Sequence, residues 1–248
     1  MKKGFKIETT SASLHIMAMA FMFLDHLWAT IVPGNDWMTC IGRLAFPIFA
    51  FMISEGCLRT RSIKKYALRM FIFAVISEIP FNLAFSGRIL WPTHQNVLWT
   101  FLIAIMLVWL NEKAREKNKL WLTLLVGAGS IVIGAVVGLV AMVDYHHVGV
   151  LTVLVFYFFR EKKWWCYLAQ LVCLVYMNFE MLGGLGYEFE LFGKEFFFVR
   201  QGLAVLSLAA IWLYRGKKGY DSRVFKYINY AFYPGHLLVI WLISLILR

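Results

Sequence analysis

Apolar residues fall into long, nearly unbroken runs at 13–32, 39–58, 66–86, 95–111, 120–143, 146–160, 164–181, 196–214 and 228–247, with short polar stretches between them. A helix rises about 1.5 Å per residue, so about 17–25 apolar residues are needed to cross the hydrocarbon of a bilayer. The pattern predicts an all-α polytopic transmembrane bundle of about nine spans, formed as one domain over residues 1–248. The run at 146–160 is short. The run at 120–143 carries Gly127, Gly129, Gly134 and Gly138, small residues that favour close helix packing.

Composition agrees with the pattern. Hydrophobic residues make up 61% of the 248 and charged ones 16%, against about 45–50% and about 25% in soluble domains. The net charge of +11 would suggest nucleic acid in a soluble protein. Here the basic residues sit in short connections, so no nucleic acid partner is expected. They occur at Lys2, Lys3 and Lys6, at Arg59, Arg61, Lys64 and Lys65, at Lys113, Arg115, Lys117 and Lys119, at Arg160, Lys162 and Lys163, and from Arg215 to Lys226. Those connections alternate with neutral or acidic ones, such as that holding Glu180, Glu188, Glu190 and Glu195. The positive-inside rule then predicts a cytoplasmic amino terminus, an external carboxyl terminus and a multi-pass place in a cell membrane. Cys40, Cys57, Cys166 and Cys173 lack metal-ligand spacing and read as buried thiols.

Polar groups inside the apolar runs carry the chemistry. The first run holds His15, Asp25 and His26. An aspartate at membrane depth costs roughly 2.5–3.5 kcal/mol on insertion scales, so it is kept with a partner or a task. His15 and His26 share one helix face about 16 Å apart, because their separation closes three turns. The expected topology gathers Asp25, His26, Arg43, Glu78, Asn82, Asn96 and Asp144 toward the outer side, with His236 near mid-depth. His15, Glu55, Arg59 and Arg69 gather toward the inner side, where Glu55 and Arg59 suit an i, i+4 ion pair. Asp25 either orients His26 or holds a neighbouring helix and leaves His26 free. His146 and His147 lack a third ligand, so no metal is expected.

The segments LHIMAMAFMFLDH, IGRLAFPIFAFMISEGCLRTRSIKKYALRMFIFAVISEIPFN, NVLWTF, VDYHHVGVL and NYAFYPGHLL follow one another in an order that resembles the TraX family. That family is named for a plasmid protein associated with amino-terminal acetylation of F pilin. The resemblance implies an integral-membrane acetyltransferase that takes its acetyl group from acetyl-CoA. His15 stands where the family usually has lysine.

On that reading His26 is the general base, with Asp25 beside it, and Arg43 or Asn82 stabilises the oxyanion. The phosphates of acetyl-CoA would meet Arg59, Arg61, Lys64, Lys65 and Arg69, with His15 and Glu55 close by. Glu78, Asn82, Asn96, Asp144, Tyr145 and His236 are candidates for the acceptor side. The acceptor is an amine or a hydroxyl: a peptide amino terminus, an amino sugar or a lipid-linked glycan. Membrane lipids are the other expected partner, and a homo-oligomer is left open. A proton-coupled small-molecule transporter using the same Asp, Glu and His groups is the alternative from another class.

Overall fold

Most of the apolar runs become helices because their backbone hydrogen bonds must close within the segment where no water can meet them. The computed structural model describes residues 8–247, apart from the side chain of Arg223; Lys2, Lys3 and Lys6 therefore lie outside the described residues. The helices are α1 (Ser11–Thr30), α2 (Asp36–Gly42), α3 (Ala45–Arg59), α4 (Ile63–Ser86), α5 (Val97–Glu116), α6 (Leu120–Val140), α7 (His146–Phe158), α8 (Trp164–Tyr176), α9 (Ser207–Trp212) and α10 (Arg223–Ile246). A π turn (Met177–Met181) follows α8. An antiparallel hairpin of β1 (Gly186–Leu191) and β2 (Lys194–Val199) then leads into a 3-10 segment (Arg200–Leu206).

Starts and breaks follow local chemistry. Thr10 and Ser13 form a reciprocal capping box on α1, and the side chains of Ser62, Asn96 and Ser222 cap α4, α5 and α10. The second apolar run is broken at Arg43 and Leu44, between α2 and α3. Pro47, in the first turn of α3, has no N–H to give the Arg43 carbonyl and crowds it.

Among the described residues six stretches are long and apolar enough to cross a bilayer: Ser11–Thr30, Asp36–Arg59, Ile63–Ser86, Val97–Glu116, Leu120–Val140 and Val224–Ile246. They account for six of the about nine spans expected. The runs at 146–160 and 164–181 form shorter helices, the second ending in the π turn. The run at 196–214 is not one helix: it begins in β2, passes through the 3-10 segment and ends in α9. Two reasons are local. Phe192 and Gly193 take positive φ, which makes the hairpin turn, and the Phe196–Phe198 run has high strand propensity.

The core lies where α1, α3, α5, α7 and α10 meet, around Leu14, Ile48, Ile105, Val108, Val150, Leu154 and Leu237. On α6 the buried residues are Gly127, Ser130, Gly134 and Gly138, a stripe toward α5 and α7, while Leu124, Val132, Val136 and Val140 are exposed. So large an exposed apolar face belongs against lipid, and the chain is an integral membrane protein. The four cysteines are unpaired: Cys57 and Cys166 are buried, Cys40 and Cys173 only half-buried.

The α6 stripe gives a direct test. A Cβ at Gly138 would lie 2.8 Å from the His146 carbonyl oxygen and from His147 Cα, whereas a Cβ at Gly129 would meet nothing within 4 Å. Gly138→Ala should cost about 1–3 kcal/mol, because backbone cannot rotate away. Gly129→Ala should be neutral or slightly stabilising. Thermal melts of the two variants in detergent check this contrast.

Candidate active site

One cavity of about 1110 Å³ runs along α1. His15 and His26 both line it, one near each end of α1, about 16 Å apart by helix rise. At one end the wall carries His15, Arg59, Arg69, Lys218 and Lys226; at the other, Trp91, His94 and Asp144. Between His15 and His26 it is apolar and aromatic, with Met19, Met22, Phe49, Tyr66 and Phe73.

At the basic end His15 Nδ1 lies 2.8 Å from the Ser11 carbonyl oxygen. Arg59 donates from Nε to Glu55 at 2.8 Å and from Nη1 to the Gly216 carbonyl at 3.1 Å. Arg69 donates to the Tyr230 hydroxyl at 3.2 Å. Lys218 and Lys226 both pair with Asp221, at 3.1 and 2.7 Å. Arg61, Lys64 and Lys65, expected among the cofactor cations, lie outside the lining; Lys64 sits over the Trp109 ring instead. Glu55 borders a smaller cavity of about 130 Å³ that shares Arg59 and adds Arg160, Lys162 and Arg215.

Mid-cavity, Asp25 and His26 are neighbours on α1 and so point about 100° apart. Asp25 does not orient His26. Its carboxylate accepts from the Thr39 hydroxyl at 2.7 Å and pairs with Arg43. Gly42 makes that approach possible, since a Cβ there would overlap the Asp25 side chain. Arg43 Nη1 also donates to Gln201 Oε1 at 3.1 Å, and Gln201 Nε2 donates to Asn178 Oδ1 at 2.9 Å. Asn178, inside the π turn, donates to the Leu174 carbonyl at 2.8 Å. His26 is met by His236, with 2.8 Å from Nδ1 to Nε2.

At the far end the Phe81, Trp91 and His94 rings stack on one another. His94 Nε2 lies 3.7 Å from Asp144 Oδ1, and that carboxylate raises the imidazole pKa from its usual 6.5. Tyr145, at φ 59°, stacks on Phe46 with 4.0 Å between ring centroids. Glu78, Asn82 and Asn96, expected on the acceptor side, do not line the cavity. Glu78 accepts from Asn96 Nδ2 and from Trp99 Nε1, Asn96 caps α5, and Asn82 donates to the Ile89 carbonyl at 3.0 Å. They hold the α4–α5 connection. Among the described residues no cluster of three His, Cys, Asp or Glu side chains is placed to hold a metal.

Sequence reasoning missed Thr39, Gly42, Asn178 and Gln201. The two amides are polar residues in or beside apolar runs, the one signal that could have singled them out. The arrangement can therefore seat a long, anion-headed molecule with its far end beside an imidazole and a guanidinium.

Two outcomes follow from this geometry. Asp25→Asn and Arg43→Gln should each destabilise the protein by about 3 kcal/mol, since removing one partner strands the other charge. The double variant should lose less than the sum in thermal melts. His94 has a raised folded pKa, so its contribution is fully present below pH 6.5 and is lost as pH rises through the folded value. Stability of the protein should decline across that window, and His94→Gln should remove the decline.

A family model described as TraX protein matches residues 10–244. The chain is 24% identical to the probable fimbrial assembly protein FimC, serogroup H1, of Dichelobacter nodosus, over 94% of this chain and 95% of that one. It is 28% identical to protein TraX of Escherichia coli over 64% of this chain, a match spanning 60% of that relative's length. No solved structure matches. Matched by the family model over nearly all its length, this integral membrane protein belongs to the TraX family.

Proposed function

We propose that the protein is a membrane acetyltransferase that moves an acetyl group from cytosolic acetyl-CoA to an amine or hydroxyl acceptor at or across a bacterial cell membrane. The observation that carries this reading is the single cavity joining a cationic rim to His26. Arg59, Arg69, Lys218 and Lys226 suit the phosphates of the donor, and the apolar mid-section suits its pantetheine arm. That arm is on the order of 15–20 Å long, comparable with the His15-to-His26 rise along α1. A peptide amino terminus, an amino sugar or a lipid-linked glycan is the acceptor, and the fimbrial-assembly name of one relative accords with a surface-polymer substrate.

In this mechanism His26 is the general base. The acceptor's lone pair forms a bond to the thioester carbon while its proton passes to His26. The tetrahedral oxyanion is stabilised by Arg43, whose position is held by Asp25 and Gln201. Collapse breaks the carbon–sulfur bond, and the CoA thiolate recovers the proton from His26. Residues 1–248 act as one unit, with a cytoplasmic amino terminus and an external carboxyl terminus. The shorter segments at 146–160, 164–181 and 196–214 complete nine crossings.

Purified protein given labelled acetyl-CoA and a panel of amines, amino sugars and peptides should yield a labelled product. His26→Ala should lower turnover about a hundredfold or more while melting normally and still binding the donor. Near-normal transfer by a well-folded His26→Ala protein would end the assignment. Solute uptake into proteoliposomes with no acetylated product would favour a proton-coupled carrier. Replacing Arg59, Arg69, Lys218 and Lys226 by Gln should weaken CoA binding and flatten its salt dependence. Cysteines placed near Lys117 and near Glu188 should label from opposite faces, the first from the cytoplasm.

A further inference from the structure

His236 lies near the proposed reaction centre and has no part in the mechanism above. It is 6% exposed on α10 and lies outside the cavity lining, behind His26. Its Nδ1 lies 2.7 Å from the carbonyl oxygen of Phe232, one turn earlier in the same helix. Its Nε2 lies 2.8 Å from His26 Nδ1. Both rings are held in place. The two imidazoles meet edge to edge and nearly coplanar, 13° apart with centroids at 5.0 Å, Phe232 stacks on His236 at 4.6 Å, and Phe85 meets His26 edge-on at 5.1 Å.

The protons follow from what each atom can do. A carbonyl oxygen only accepts, so His236 Nδ1 carries a hydrogen. In a neutral imidazole the other nitrogen is then bare and can only accept. His26 Nδ1 must therefore donate, which leaves the lone pair of neutral His26 on Nε2. No hydrogen bond to that nitrogen is present among the described residues, and the side chain faces the cavity. The reverse order needs a second proton on His236, a ring buried at membrane depth near a wall that already holds Arg43, where added charge is costly.

We infer that His236 is the positioning residue for His26, fixing the tautomer that presents Nε2 as the base. This rests on the acetyl-transfer reading. The acceptor proton moves to His26 Nε2 as the new bond to the thioester carbon forms, and it leaves from the same atom to the thiolate. His26 Nδ1–H stays on His236 throughout. A neutral ring thus does the orienting that a carboxylate does in other His-based sites, while the nearest carboxylate, Asp25, is occupied by Arg43.

The test compares His236→Gln with His236→Leu in the full-length protein. A glutamine can place its carbonyl oxygen where His236 Nε2 stood and accept the same hydrogen; leucine cannot. His236→Leu should lower kcat about tenfold to a hundredfold with KM for acetyl-CoA unchanged, and His236→Gln should recover most of it. Nitrogen-15 spectra of histidine-labelled protein should show His26 protonated at Nδ1 and bare at Nε2, a signature His236→Leu should blur and His236→Gln should keep. Wild-type His26 protonated at Nε2 would overturn the inference. So would a folded His236→Leu protein with wild-type kcat, or losses in both variants that merely track melting temperature. The spectra read the tautomer even if no acetyl transfer is found, so this inference and the acetyltransferase reading fail separately.

Discussion

The pairing of Asp25 with Arg43 is the constraint on which the interior depends. Neither charge is tolerated alone at membrane depth, so α1 is tied at that level to the break between α2 and α3. Several irregular features answer to it. Pro47 breaks the helix just after Arg43, Gly42 lets the carboxylate in, and Thr39 takes its second oxygen. Gln201 and Asn178 carry the polar chain onward from Arg43 into the 3-10 segment and the π turn. Two of the segments that fail to form regular spans, 164–181 and 196–214, are recruited to this chain.

That pairing also decides what is available for chemistry. Because Asp25 is occupied, His26 cannot draw on its neighbour and takes its partner from α10 instead. Two adjacent ionisable residues on one helix thereby serve different helices. One holds the bundle together, and the other opens onto the cavity. The separation is a direct result of the angle of about 100° between successive helical side chains.

Hydropathy made the six long apolar stretches readable, because backbone satisfaction in hydrocarbon leaves little choice of structure. It could not make the hairpin readable. A window average treats Phe196, Phe197 and Phe198 alike whether they extend or coil, and the turn at Phe192 and Gly193 that sets them in a hairpin lies outside the run. In the site, helical period alone put His15 and His26 on one face. The link to His236 crosses 210 residues of chain, a separation that no local spacing encodes. Lys218 and Lys226 were read as orientation signals, since a loop cation looks the same whether or not it borders a cavity. Glu78, Asn82 and Asn96 show the converse. Polarity at depth says that a partner exists, not whether that partner is a ligand or the protein itself.

The π turn after α8 has a consequence for how the sequence can change. Such a turn is an α-helix carrying one extra residue, kept despite poorer hydrogen-bond geometry. Losing a single residue from Met177–Met181 would let the helix close regularly. It would also rotate everything upstream by about 100° relative to the hairpin and swing Asn178 away from Gln201. Local regularity and the polar chain to Arg43 are therefore in competition at this point. A shortening that looks harmless by hydropathy would cut the chain at its outermost link.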